Sequence, residues 1–320
     1  MRTQITESAI LPALQTLGEK YGARLGRNVP LARYTAARLG GPAQALMELQ
    51  TVDELVEVIG LCWKEAVPYT LLGDGSNILV SDSGVSGLVV INRTRQIRIE
   101  EDATPPQIWA ESGVNFGLLA RQVAQRGLSG LEWAAGIPGT FGGAIVGNAG
   151  AHGGELSANL RLAEILHRLD TDQGVTPHRE VWPVEKFNYA YRNSVLKRNS
   201  GHFVALAGLL QLQTGDRQTI QNRMDQLAAY RRRTQPPGAS TGSMFKNPPG
   251  DYAGRLIEAA GLKGVKIGDA QISPLHANFF INLGNASAAD FYALIQQARQ
   301  TVADKFAVQL ELEIELIGEW

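Results

Sequence analysis

The chain has 320 residues, 44% of them hydrophobic and 19% charged, enough to bury a core in about two domains and too apolar for a disordered chain. Thirty Lys and Arg against 31 Asp and Glu leave a net charge of −1, which excludes a global attraction to nucleic acid or an anionic membrane, and the one cysteine, Cys62, excludes an internal disulfide or a cysteine-cluster metal site. Glycine is the outlier, at 35 of 320 or about 11% against the usual ~7%, with neither a G-X-Y period nor the Gly/Ser alternation of a linker.

Met1–Leu17 lacks the cationic start, apolar stretch and small-residue cleavage site of a signal peptide, and no run of 18 apolar residues occurs, so a soluble, cytoplasmic protein is expected. A helix is expected over Ser8–Tyr21, ended by Gly22. Thr51 and Glu54 have capping-box spacing, and Leu55, Val58, Ile59 and Cys62 recur at helical intervals. Pro68 closes that helix, and Tyr69–Leu72, Ile78–Val80 and Leu88–Ile91 read as strands. Residues 1–92 form the first expected unit.

The second unit, 93–215, opens with strands at Ile97–Ile99 and Ile108–Glu111 and a helix at Phe116–Arg126. From Gly127 to Gly154 there are 10 glycines in 28 residues, a density expected to exclude regular helix and sheet interior. Strands resume at Leu160–Leu169 and Phe203–Gln213. The third unit, 216–320, has helices at Asp216–Arg232, at Tyr252–Ala260 with Gly261 as its stop, and at Ala288–Phe306. Its ending is the clearest strand pattern in the chain: Val308, Leu310, Leu312, Ile314 and Leu316 alternate with Gln309, Glu311, Glu313 and Glu315.

Two glycine loops have the composition to cradle phosphate, because backbone N–H groups converge on an anion where no Cβ intervenes. Gly73-Asp74-Gly75-Ser76-Asn77 fails G-x-G-x-x-G at its sixth position, Ile78, and lacks a P-loop ending; taken alone it is equally a tight strand–strand turn. Gly136-Ile137-Pro138-Gly139-Thr140-Phe141-Gly142-Gly143, followed by Gly147-Asn148-Ala149-Gly150, suggests backbone pressed against a flat or phosphorylated ligand, with structural crowding as the alternative. Arg217–Lys266 carries nine Lys or Arg against three acids, a local anion site or a solvated helix face. Glu313 is not separated by periodicity from Glu311 or Glu315, Ser243 is not in a G-x-S-x-G elbow, and no histidine pair has metal-ligand spacing.

Together, Tyr34–Pro42, Gly73–Asn77, Gly136–Gly150, Tyr191-Arg192-Asn193-Ser194, Gly242–Pro248 and Leu310–Gly318 resemble the UDP-N-acetylenolpyruvoylglucosamine reductases, in their shorter form given the compact run Gly261–Asn285. The resemblance implies an α+β chain: a two-subdomain FAD-binding fold of the vanillyl-alcohol-oxidase type and a C-terminal α+β substrate-binding domain. It implies FAD and NADPH as cofactors, UDP-N-acetylglucosamine enolpyruvate as substrate, and no nucleic acid, membrane or metal partner. The FAD pyrophosphate is expected on Gly73, Asp74, Gly75, Ser76 and Asn77, and the isoalloxazine near Gly136, Ile137, Pro138, Gly139 and Gly143. The first loop has no histidine to tether a flavin, so noncovalent FAD is expected. Arg192, Ser243 and Glu313 match the family's catalytic positions, and Tyr191, Arg233 and Asn247 are expected at the substrate. Gly147, His152 and Thr234 stand where the family usually has methionine, tyrosine and lysine.

Overall fold

The computed structural model describes residues 7–172 and 174–320, so the first six residues of the segment tested for a signal peptide lie outside it. Its helices are α1 Glu7–Tyr21, α2 Val52–Lys64, α3 Phe116–Ala124, α4 Phe141–Gly147, α5 Val195–Arg198, α6 Arg217–Thr234, α7 Ala253–Ala259 and α8 Ala288–Phe306. None of them is long and apolar enough to cross a membrane. The described residues form two compact units, one within 1–27, 44–73 and 86–228, the other of 28–43, 74–85 and 229–320.

In the first unit, Tyr69–Leu72 runs parallel to Val85–Asn92, Tyr69 opposite Leu88, and Pro42–Leu49 lies on the other side of Val85–Asn92. The apolar stripe of α2, Leu55, Val58, Ile59 and Cys62, packs with Met47, Leu88 and Val90 into one fully buried cluster, as its helical spacing requires. A five-stranded antiparallel sheet follows in the order 174–183, 160–171, 203–211, 107–111, 97–100. Phe116 of α3 and Phe141 of α4 stack at 5.9 Å and share one core with Ile108, Leu160 and Ile165 of the sheet. Asn115 caps α3 by accepting from Leu118 N–H at 3.0 Å.

The second unit has a four-stranded antiparallel sheet in the order Ala239–Ser243, Phe279–Asn282, Ala270–Ile272, Lys266–Ile267. Leu256 and Ile257 of α7, and Phe291, Leu294, Ile295, Ala298 and Val302 of α8, form its core with Phe280. The start of α8 carries a full capping box between Ser287 and Asp290. Asp82 adds its two carboxylate oxygens to the Ala288 and Ala289 N–H groups at 2.9 Å each, satisfying donors that a helix start otherwise leaves open.

Three elements depart from expectation. Gly174–Pro183 is a strand that the sequence hides: it is the sheet's edge, mostly exposed, and Pro177 sits within it opposite Arg168, as a proline can only at an edge. The glycine tract contains the helix α4; Gly142 lies there because a Cβ would come within 2.8 Å of Ser112 Cβ, so close helix–strand packing offsets the low helix propensity of glycine. Only Glu315–Ile317 of the ending is regular strand. Leu310 and Ile314 are buried and Glu311 and Glu315 exposed as the alternation requires, but the segment changes partner midway. Glu311 O and Glu313 N–H bond antiparallel to Lys246 N–H and Met244 O at 2.9 Å, and Glu315–Ile317 then runs parallel to Ile78–Val80.

The α2 cap gives a pH prediction. The Arg24 guanidinium, 2.6 Å away, holds the Glu54 carboxyl down at about 2 against the opposing effect of burial, with the Gln50 N–H assisting. A carboxyl lowered from its ordinary value of 4.5 stabilises the fold above about pH 4.5, and that contribution is lost as pH falls toward 2. Glu54→Gln should cost about 1 kcal/mol at pH 7. Thermal melts across pH should show the gap to wild type closing between pH 4.5 and 2; a gap independent of pH would contradict the assignment.

Candidate active site

In the second unit, the loop ending at Asn77 is fastened to the C-terminal segment on both sides of one residue, Ile314. Asn77 Nδ2 donates to Glu313 O at 3.1 Å, and Glu315 N–H donates to Asn77 O at 3.0 Å. Glu313 N–H in turn donates to Met244 O at 2.9 Å, and Met244 follows Ser243. The fold thus brings Asn77, Ser243 and Glu313 together through backbone bonding. Glu313 is half-buried, whereas Glu315 is exposed and Glu311 is exposed and paired with Lys246 at 3.2 Å. Position at the change of partner distinguishes three carboxylates that the sequence pattern leaves equivalent.

Ser243 ends the strand Ala239–Ser243 after a register shift and after Gly242, whose φ is +77°. The next residues are locked by Asn278, which accepts from Phe245 N–H at 2.9 Å through Oδ1, donates to Phe245 O at 2.8 Å through Nδ2, and receives Met244 N–H on its own carbonyl at 2.8 Å. Nothing in the spacing of Asn278 announces this. Thr241, two residues before Ser243, is buried, and its Oγ1 has no hydrogen-bond partner. Asn247 accepts the Ala253 N–H at 3.1 Å, so its side chain serves the start of α7. At the end of α6, Arg233 is exposed over the Tyr230 ring at 5.6 Å. Arg231 is half-buried, burial pushes its pKa down, and among the described residues it has no ion-pair partner.

In the first unit, the Gly136–Gly143 tract passes through Gly136 at φ +73° and Gly139 at φ +109° into α4. Phe141 N–H bonds Val114 O at 2.8 Å, Gly142 N–H bonds Ser112 O at 2.7 Å, and Thr140 Oγ1 accepts from Gly143 N–H at 3.4 Å. Gly136, Pro138 and Gly143 are exposed and Ile137 and Gly139 half-buried.

The glycines divide into two kinds. A Cβ on Gly73 would collide with Thr140, and one on Gly75, at φ +59°, would collide with Tyr34 O, so packing alone demands both. Gly143 has ordinary φ, and a Cβ there would meet only Thr140 Oγ1 at 3.7 Å. Neither packing nor conformation requires glycine at Gly143, where it costs helix stability; a bare backbone on an exposed helix start fits a flat ring system lying against it. The residues present therefore fit a bound flavin.

Arg192 sits at the tip of a tight turn closed by two Ala190–Asn193 backbone bonds of 3.1 Å. Its φ is +54°, its Nη2 donates to Gly150 O at 2.7 Å, and its guanidinium lies 5.3 Å from the centre of the exposed Tyr191 ring. The turn is anchored to α4 by Tyr189 and Ser194, whose hydroxyls donate to Ile145 O at 2.8 Å and Val146 O at 2.6 Å, and by Asn148 Nδ2, which donates to Ala190 O at 3.4 Å. Ser194 and Asn148 lie in segments that carry the family resemblance, but nothing in the sequence announces the bonds these three residues make.

A profile described as UDP-N-acetylenolpyruvoylglucosamine reductase, C-terminal domain, matches residues 234–317, and one described as FAD binding domain matches residues 43–169. The UDP-N-acetylenolpyruvoylglucosamine reductase of Chloroflexus aggregans is 45% identical over 91% of this chain and 96% of its own. That of Bacillus subtilis is 38% identical over 95% and 98%. The crystal structure of UDP-N-acetylenolpyruvylglucosamine reductase from Thermus caldophilus superposes with a TM-score of 0.77 at 35% identity, covering 92% of this chain and 99% of that one. The expected α+β arrangement of an FAD-binding part and a C-terminal part is present. By sequence and by fold, the chain belongs to the UDP-N-acetylenolpyruvoylglucosamine reductase family.

Proposed function

We propose that this protein, an oxidoreductase of the UDP-N-acetylmuramate dehydrogenase type, reduces UDP-N-acetylglucosamine enolpyruvate to UDP-N-acetylmuramate for peptidoglycan synthesis, with FAD and NADPH. The observation that carries the assignment of its residues is the position of Glu313, bonded through its backbone to the residue after Ser243 and to the Asn77 side chain. The reading places the enzyme in the cytoplasm, and its contribution to cell shape and division follows from the wall precursor it makes. It takes 1–92 and 93–215 as FAD-binding subdomains and 216–320 as the substrate-binding domain.

Gly73, Asp74, Gly75, Ser76 and Asn77 would hold the FAD pyrophosphate, and Gly136, Ile137, Pro138, Gly139 and Gly143 the isoalloxazine, without a covalent tether. Bound FAD would supply two-electron chemistry between NADPH and the enolpyruvyl methylene carbon. Arg192 stabilises the negative charge that then develops toward the substrate carboxylate. Ser243 delivers a proton to the adjacent carbon; a serine hydroxyl is a weak acid, so it serves only next to a strongly basic, enolate-like carbon. Glu313 acts with Arg192 on that developing charge, as a protonated acid or through a hydrogen-bonded network. Tyr191 and Asn247 line the substrate, and Arg233 meets the diphosphate with the local basic excess behind it.

Two results test the assignment. In Ser243→Ala, stopped-flow reduction of the flavin by NADPH should stay within about twofold of wild type while reoxidation by the enolpyruvyl sugar slows about 10²–10³-fold; equal slowing of both halves would refute the role. Gly143→Val should leave the melting temperature of the flavin-free protein near wild type but lower flavin retention on purification, read from absorbance. A variant that binds FAD as wild type does would remove Gly143 from the cradle.

A further inference from the structure

We infer that Tyr189 is a positioning residue for Arg192, holding the turn that carries it against the last carbonyls of α4. The inference rests on the reading of Arg192 as the residue that meets developing charge.

A helix leaves its last four carbonyls without internal partners, and α4 has only seven residues. Ala144 O is taken by the Asn148 and Ala149 N–H groups. The next two carbonyls are taken by side chains from one distant turn: Tyr189 on Ile145 O at 2.8 Å and Ser194 on Val146 O at 2.6 Å. These two residues bracket Arg192. Between them the backbone of Arg192 is left-handed, a conformation that is strained for a non-glycine residue and persists only where its surroundings over-determine it. Asn148, itself left-handed at φ +46°, supplies a third fastening at Ala190 O. These three fastenings, and the bond of the Arg192 guanidinium to Gly150 O, all end within residues 145–150.

Tyr189 is the separable member of this set. Its ring stacks on Phe187 at 5.2 Å and 10°, a contact that phenylalanine keeps, and burial raises the pKa of its hydroxyl, so it stays a donor across the working pH range. Ser194 also caps α5 through Lys197 N–H at 3.2 Å, so its removal mixes two effects. Displacement of a charge-stabilising group by a fraction of an ångström affects only the step in which that charge appears.

The test uses the FAD-loaded enzyme for kinetics and the purified protein for spectroscopy. Tyr189→Phe should slow flavin reoxidation by the enolpyruvyl sugar about tenfold, leave reduction by NADPH within about twofold, and lower the melting temperature by no more than about 3 °C. In an Arg192→Ala background the same substitution should slow reoxidation no further, because its effect passes through Arg192. Independently of turnover, the Arg192 Nε–H cross-peak, identified by its loss in Arg192→Ala, should shift in Tyr189→Phe. Equal slowing of both half-reactions, an unshifted cross-peak, or undiminished slowing in the Arg192→Ala background would each overturn the inference. If Arg192→Ala slows reoxidation while Tyr189→Phe does not, the inference alone fails. If Arg192→Ala reoxidises at the wild-type rate, the reading of Arg192 fails and the inference goes with it.

Discussion

The second unit depends on one peptide-level constraint, the change of partner made by the C-terminal segment at Glu313. Up to that residue the segment bonds the strand that follows Ser243; beyond it, the segment bonds the strand that follows the Gly73–Asn77 loop. Asn77 spans the change, its amide on Glu313 O and its carbonyl receiving Glu315 N–H. Three stretches of chain separated by more than sixty residues each are thereby held in register by backbone groups and the Asn77 amide. A carboxylate at such a crossing is held by the backbone on both sides, unlike one on a solvated strand edge.

The first unit solves a similar problem with a short helix. Seven residues rich in glycine are marginal as a helix on their own, and α4 is fixed at its start by Ser112, Val114 and Thr140 and at its end by Tyr189, Ser194 and Asn148. Its glycines fall into those demanded by packing, such as Gly142 against Ser112, and those that packing does not explain, such as Gly143. The same few residues present bare backbone and fasten the Arg192 turn.

Much of this was legible in the amino-acid order. The α2 stripe, the strands at Tyr69–Leu72 and Ile78–Val80 and the bounds of α8 follow from periodicity and capping residues, because there one buried face decides the structure. Gly174–Pro183 was not legible, since a polar edge strand buries too little to leave an apolar pattern. The ending was legible as an extended, alternating segment but not as one with two successive partners, because burial alternation records faces and not hydrogen-bond partners. For the same reason Glu313 could not be told from Glu311 and Glu315, and the bonds of Asn278, Asn148 and Tyr189 were not legible: each reaches a backbone group far away in sequence.

The most direct measurement is therefore a comparison of three substitutions, Glu311→Gln, Glu313→Gln and Glu315→Gln, in stopped-flow reoxidation of the reduced enzyme by the enolpyruvyl sugar. Glu313→Gln alone should slow this half-reaction, by about 10²–10³-fold, with NADPH-driven reduction unaffected in all three. Equal, small effects at the three positions would contradict the claim that the change of partner at Glu313 singles out its carboxylate.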